Sequence, residues 1–243
     1  FSIASSATGQ IAGIKVTHTR NAMVRANLVS DNGANGIWFD LSSSNVAIVD
    51  NTVLDNAGHG VEYEVSTSGT IAGNVIARNG RDGMKISGST NTDIWNNTVA
   101  DNLGSQIGVY DDPRSGNTTY QMSIGNTSDT ADVRIVNNIF VGAAGSTGAL
   151  LNSFDASSPR HLTFTDMVSV DDHNLWARPA ASTPTYVATW QPTLTTGARS
   201  STLAAFQSTS GREATSVAAD SAGSSRSEEH TSELQSPCNL VCR

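Results

Sequence analysis

A repeat of 23 to 24 residues constrains this chain more than any other feature. Asn27, Asn51, Asn74 and Asn97 each begin the pattern Asn-x-(Val/Ile)-x-x-Asn, which closes at Asn32, Asn56, Asn79 and Asn102. A glycine and an apolar residue follow, at Gly36-Ile37, Gly60-Val61 and Gly83-Met84. A period of this length means stacked structural units, not one globular core. Each unit holds two stretches of apolar/polar alternation with period two. One column runs through 13–16, 36–40, 60–64, 83–87 and 107–111, the other through 22–27, 45–50, 70–74, 92–96 and 133–137. β-Branched residues are dense in both, and Asn, Gly, Ser and Asp separate them, which is the signature of strands. No ten-residue amphipathic helix fits before residue 198. A propeller blade would need a period of roughly 40 residues.

The asparagines have a mechanical reason. Equivalent residues on successive coils lie about 4.8 Å apart. A side-chain amide carries both donor and acceptor, so amides at Asn51, Asn74 and Asn97 can bond to one another along the stack. Asparagine also tolerates the left-handed backbone of tight turns.

These coils resemble the right-handed parallel β-helix superfamily, the pectate-lyase-like fold. Gly36–Asp40, His59–Glu64, Trp95–Thr98, Asp172–Trp176 and Leu203–Gln207 resemble segments of secreted bacterial members. The resemblance spans residues 10–220 and implies an all-β solenoid with coils of about 23 residues. It does not choose a reaction, because lyases, hydrolases, epimerases, esterases and non-catalytic stacks share the fold. The expected organisation is regular coils over 10–110, an insertion at 111–132, further coils over 133–176 and an irregular part at 177–225. The insertion follows from the 41-residue gap between Asn97 and Asn138; loops of that length more often serve function than connection. Residues 148–154 and 161–170 read as strands and 179–197 as a loop anchored by Trp190. Residues 201–207 read as a serine-capped helix, and Trp95 is assigned to the core.

Residues 226–243 resemble the translation of a sequencing-library adapter and are set aside from fold reasoning. They contain both cysteines, Cys238 and Cys242, so residues 1–225 offer no thiol chemistry. Removing the tail's three acidic and two basic residues from totals of 22 and 14 leaves a net charge of −7. That balance argues against nucleic acid as a partner. No apolar run approaches the ~18 residues of a membrane span. The chain starts at Phe1 in mid-pattern and reads as a frame cut at both ends. An extracellular or cell-surface monomer is the expectation.

Alternation in the glycine-led column sends Ile37, Phe39, Val61, Tyr63, Met84 and Ile86 inward. It sends Lys15, Trp38, Glu62 and Lys85 outward in one row, and Thr17, Asp40, Glu64, Ser87 and Tyr110 in the next. Asp40, Glu62 and Glu64 are therefore expected on one exposed patch, with Lys85 and Trp38 on either side of Glu62, and Asp40 and Glu64 stacked acid on acid without an evident partner. His59 and Arg81 stand on the turns entering it, and Asp111 and Asp112 open the insertion beyond. Uronate elimination or epimerisation needs a carboxylate neutraliser, a base and an acid. Asp40, Glu64 and Lys85 are the candidate catalytic groups, with Trp38, Glu62, Arg81 and His59 binding a polysaccharide. Asp40, Glu64 and Asp111 could alternatively hold calcium. A glycoside hydrolase is less favoured, because Gly58-His59-Gly60 lacks the companion Asp-Asp and Arg-x-Lys motifs. A non-catalytic glycan-binding or structural stack is the competing reading, with the charges as a solvated face. His18, His161 and His173 carry no usable signal. Deleting residues 226–243 should leave the melting temperature unchanged in a calorimetric scan; a clear loss would show the tail to be native structure.

Overall fold

The computed structural model describes residues 11–112, 119–146, 148–180 and 183–220. The tail at 226–243 lies outside them. Among the described residues the strands form three sheets of eight, six and seven strands. Sheet 1 collects Ala12–Thr17, Asn35–Asp40, Val61–Glu64, Met84–Ser87, Ile107–Asp111, Leu151–Asp155, Ala188–Trp190 and Ala198–Ser200. Sheet 2 runs from Met23–Arg25 to Val168–Asp172, and sheet 3 from Leu28–Ser30 to Val217–Asp220. The pairing is parallel apart from the last pair of sheet 1. The chain is an all-β, right-handed parallel β-helix.

The hydrophobic alternation builds the interior. Ile37, Val61, Met84 and Ile107 are in register on sheet 1 and fully buried. Ile48, Ile71 and Ile94 face them from sheet 2, and Val53, Ile76 and Val99 from sheet 3. Each such side chain contributes about 1.5–3 kcal/mol on burial.

The corners are left-handed. Ala26, Asp50, Gly73, Asn96, Asn137 and His173 have φ between 56° and 66° and turn the chain from sheet 2 to sheet 3. Each immediately precedes an asparagine. Asn27, Asn51, Asn74, Asn97, Asn138 and Asn174 donate from Nδ2 to the Oδ1 of the next, over 2.9 to 3.2 Å. The last, Asn174, donates to Glu213 Oε1 at 3.0 Å. A second column, Asn32, Asn56, Asn79 and Asn102, ends on Gln106 Oε1 at 2.9 Å. The left-handed positions are thus the residues before the asparagines, not the asparagines themselves.

Beyond residue 110 the sequence reading needs correction. The insertion carries a short helix, Thr119–Ser123. Residues 161–170 are not all strand: Phe164–Met167 is helical, capped by Thr163 and Asp166, before Val168–Asp172 joins sheet 2. The C-terminal helix is Leu203–Ser210, and its cap is Thr202, whose hydroxyl accepts from the Ala205 N–H at 3.1 Å. A strand, Ala188–Trp190, interrupts the expected loop. Trp190 is buried, with Phe164 and Phe206 edge-on at 5.9 and 5.5 Å. Trp95 is 44% exposed, not core, because Thr92 and Ile94 take the inward positions of its strand.

Asn74 shows what the columns demand. Its Nδ2 donates to Ile48 O and Asn97 Oδ1, and its Oδ1 accepts from the backbone N–H and Nδ2 of Asn51. Asn74→Ala should destabilise the fold by roughly 1–3 kcal/mol in denaturant titration, because buried partners lose their bonds.

Candidate functional site

The registers place Lys15, Trp38, Glu62 and Lys85 in one outward row of sheet 1. Thr17 and Asp40 are partners in the next row, where Glu64, Ser87 and Tyr110 follow one another. The rows are not an exposed patch: Trp38, Asp40 and Glu62 are 3% exposed and Glu64 7%. Neighbours one strand spacing away close over each side chain. The short helix of the insertion touches the first coil, where Arg20 Nη2 donates to Ser123 Oγ at 3.2 Å.

Nor do the acids lack partners. Lys15 Nζ lies 3.1 Å from Asp40 Oδ2 and 3.3 Å from the centre of the Trp38 ring. That ammonium covers the face on which Trp38 would have stacked a sugar. Lys85 Nζ is 2.8 Å from Glu62 Oε1 and 4.0 Å from Glu64 Oε1. Asn35 Nδ2 donates to the other oxygen of Glu62. Burial pushes the Glu62 carboxyl up, with Lys85 opposing. For Lys85 burial is the largest influence and lowers its pKa, but Glu62, Glu64 and Asp112 together outweigh it and raise it. Lys85 is therefore a fixed positive charge, suited to neutralising a carboxylate and unsuited to acting as a base.

Behind this row stands a network the sequence reading missed. Tyr110 Oη donates to Asp82 Oδ2 at 3.1 Å, and the Asp82 N–H donates to His59 Nδ1 at 3.2 Å. Burial, then the charges of Lys85 and Arg81, drive the His59 pKa down to about 3. A neutral ring accepting at Nδ1 carries its proton on Nε2. Burial also raises the Asp82 and Tyr110 pKa values. Asn35, His59 and Asp82 each accept from the backbone N–H of the next coil, at His59, Asp82 and Ser105. His59 is thus a turn residue built into a column. The repeat sets His59 at the turn position that Asn35 and Asp82 hold in the neighbouring coils, and the bonds bear out that turn role.

The expected calcium set does not assemble. Asp111 follows the outward-pointing Tyr110, so alternation sends it to the side opposite Asp40 and Glu64. It joins Asp129 and His161 instead; one ligand atom from each lies within 4.8 Å of the others, the one such group among the described residues. His161 Nε2 is 3.3 Å from Asp129 Oδ1 and 3.7 Å from Asp111 Oδ2, and its Nδ1 is 3.2 Å from Asp155 Oδ2. Asp155 is fully buried. Desolvation works against its charge, yet the N–H groups of His161, Leu162 and Ser157 outweigh that and hold its pKa below the usual carboxylate value. The His161 pKa is raised; burial lowers it, but Asp129, Asp155 and Asp111 prevail. Asp111 is pushed up to about 6, first by burial and then by Asp155 and Asp129, against the Thr130 N–H and His161. Of these residues the sequence marks Asp111 alone; Asp129, Asp155 and His161 lie where the repeat is broken.

The model of a family described as NosD, periplasmic copper-binding protein, matches residues 2–181. The chain belongs to the NosD family. No curated protein matches it. Among solved structures, this NosD-family chain is similar to the Azotobacter vinelandii mannuronan C-5 epimerase AlgE6 A-module, with 20% identity and a TM-score of 0.51, over 69% of this chain and 42% of that one. The AlgE4 A-module from the same organism matches at 18% identity and a TM-score of 0.43, over 68% of this chain and 48% of that one. The chain therefore spans less than half the length of either module. At these identities the likeness concerns the fold alone.

Asp111 gives a pH test. Its folded pKa lies above the unfolded carboxylate value, so its stabilising contribution is complete below about pH 4 and is lost as pH rises through about 6. Asp111→Asn should therefore gain stability relative to the parent as pH climbs from 4 to 7. Parallel unfolding curves with a pH-independent difference would contradict this.

Proposed function

We propose that the chain acts outside the cytoplasm on an acidic polysaccharide, by proton transfer at a uronate unit, as a lyase or an epimerase. The observation that carries this reading is the half-exposed His161 imidazole held between Asp111 and Asp129, one residue past Tyr110 on the strand beside Lys85. Both reactions begin with removal of the proton α to a carboxylate, which needs a neutralising charge, a base and an acid. Lys85, held positive, is the candidate neutraliser. Asp111, with a pKa of about 6, and His161 can exchange protons near neutral pH. Asp40, Glu62, Glu64 and Trp38 would surround Lys85 on the outward face, with Arg81 and His59 behind it, and a substrate would reach from that face past Tyr110 to His161. The fold likeness to an alginate-type epimerase module is compatible with this reading. The periplasmic description of the family supports the location, and among the described residues no helix is long and apolar enough to cross a membrane.

A second reading rests on the same cluster. One imidazole and two carboxylates form a mixed nitrogen and oxygen donor set that suits a divalent cation of borderline character, cupric copper included, better than calcium, which takes oxygen ligands. Copper is the metal in the family's description. Asp155, whose Oδ2 lies 3.2 Å from Nδ1 on the far side of the ring, would orient His161 toward such an ion, as carboxylates behind metal-bound histidines do. The set contains no sulfur, so cuprous copper fits it poorly.

The test is a panel of polyuronates with and without calcium or copper(II). Ultraviolet absorbance would report the unsaturated product, and deuterium uptake from solvent would report epimerisation. His161→Ala and Asp111→Asn should each lower turnover by about 100-fold or more. Full turnover in both would remove the proposed acid–base pair. Turnover surviving Asp40→Ala, Glu64→Ala and Lys85→Ala together would take those residues out of the chemistry. Glycan binding without turnover would favour the non-catalytic reading.

A further inference from the structure

Past Tyr110 the face of sheet 1 opens into a cleft of about 530 Å³ whose lining includes Phe154, Arg160, Thr189, Gln191 and Arg199. Small-ligand sites span about 300–1,000 Å³. Phe154 is exposed, and its ring lies 4.8 Å from that of Tyr110, so an aromatic wall continues from the row described above into the cleft. Thr189 and Arg199 are partners across the antiparallel pair that closes the sheet.

The two arginines differ from others in the chain. Arg25, Arg78, Arg134, Arg178 and Arg212 each pair with an aspartate. Arg160 and Arg199 have no acidic partner among the described residues; the contact made by Arg199 is with the Tyr186 ring, 5.4 Å away. In a chain of net charge −8, two guanidiniums without carboxylates lining one cleft are a specific arrangement. The loop that bears Arg160 is held in advance. Asp155 accepts from the N–H groups of Ser157, His161 and Leu162 at 2.7, 2.6 and 3.0 Å. Gln191 grips the same loop, donating from Nε2 to Leu162 O at 2.8 Å and accepting from the Asp155 N–H at 3.3 Å. Arg160 and His161 are consecutive on this anchored segment, so the cleft and the imidazole cluster share one support.

We propose that this cleft is a carboxylate subsite, in which Arg160 and Arg199 hold the carboxylate of an acidic sugar unit whose ring lies against Phe154. Guanidinium groups match carboxylates in shape and charge, and a ring face offers its apolar surface to a sugar. The assignment rests on the acidic-polysaccharide reading and adds the place where a unit of the chain is gripped.

The experiment is equilibrium binding of short oligouronates to the full chain, by calorimetry at two salt concentrations. Carboxyl-reduced and sulfated oligosaccharides of the same length serve as further probes. Arg160→Gln and Arg199→Gln should each weaken oligouronate binding about tenfold, the weight of one charge-assisted hydrogen bond. Arg134→Gln, on sheet 2, should leave it unchanged. Carboxyl-reduced oligomers should bind the parent no better than oligouronates bind the double variant. Equal binding by parent and double variant, or by charged and reduced oligomers, would overturn the subsite. Tighter binding of the sulfated oligomer would overturn its carboxylate assignment. Polyuronate turnover separates the two proposals. Turnover with the same KM in the double variant removes the subsite and leaves the functional reading intact. Arginine-dependent binding without turnover supports the subsite and removes the catalytic reading. No oligouronate binding by the parent removes the subsite, while turnover still decides the function.

Discussion

Everything in this β-helix depends on the buried amide columns being fully bonded at every coil. Asn74, in the middle of its column, donates two hydrogen bonds from its side-chain amide and accepts two on it, and these partners lie on the coils above and below. A slip of one residue would leave donors and acceptors of the whole column unpaired, at about 1–3 kcal/mol for each buried group. It would also turn each inward isoleucine and valine to solvent. The two penalties act on the same displacement, so the register is determined from both sides. The left-handed residue before each asparagine supplies the bend, and the amide closes it by donating to the carbonyl two residues back, as Asn51 does to Val49 and Asn97 to Trp95. Geometry at the corner therefore fixes geometry on the face.

A fixed register has an electrostatic consequence. Side chains on successive coils face one another at about 4.8 Å, and like charges at that distance repel. The outward rows of sheet 1 resolve this by interleaving: Lys15 serves Asp40, and Lys85 serves Glu62 and stands at the edge of contact with Glu64. With the lysines in place the row can be buried, and burial in turn strengthens each pair. Where the chain places acids together without interleaving, the carboxyl groups take up protons instead. Asp171, buried beside Glu213, is pushed up to about 8 by desolvation and then by that neighbour, although Arg212 lies 3.3 Å away. Glu213 is the same carboxylate that ends the long asparagine column, so the column's last acceptor is also a source of this repulsion.

What the sequence made legible follows from periodicity. The inward positions of sheet 1, the outward order of Lys15, Trp38, Glu62 and Lys85, and the parallel coils all follow from a repeat of 23 residues with internal alternation. Alternation says which way a side chain points, however, and not what covers it. Asp40 and Glu64 are buried with lysines from neighbouring strands beside them, a pairing that the direction of a side chain does not by itself reveal. Trp95 is ambiguous to alternation because its strand contains Asn91 at φ 51°, and two registers look alike until that irregularity is located. The Thr163 and Asp166 capping pair was present in the sequence, but alternation over 167–170 masked the short helix. His161 gave no signal because its partners, Asp111, Asp129 and Asp155, lie between 6 and 50 residues away and outside the period.

The place of His161 shows where chemistry can reside on such a scaffold. In a strict repeat each row presents the same position over and over, so the groups that meet are equivalents of one another. Rows of equivalents make good walls and good ladders. Bringing one imidazole among three carboxylates requires that unrelated segments converge, and that requires a break in the period. Here the strand Ile107–Asp111 supplies one acid at the mouth of the insertion, the return of the insertion supplies Asp129, and the loop after Leu151–Asp155 supplies His161. The regular coils hold that convergence rigid: Asp111 and Asp155 are register partners on adjacent strands of sheet 1, so the amide columns that set the register also set the distance between these two acids. The loop carrying His161 hangs from Asp155 by three backbone hydrogen bonds, so the imidazole inherits the same reference frame. Stability comes from the repeat and reactivity from its interruption, and the two meet at the pairing of Asp111 with Asp155.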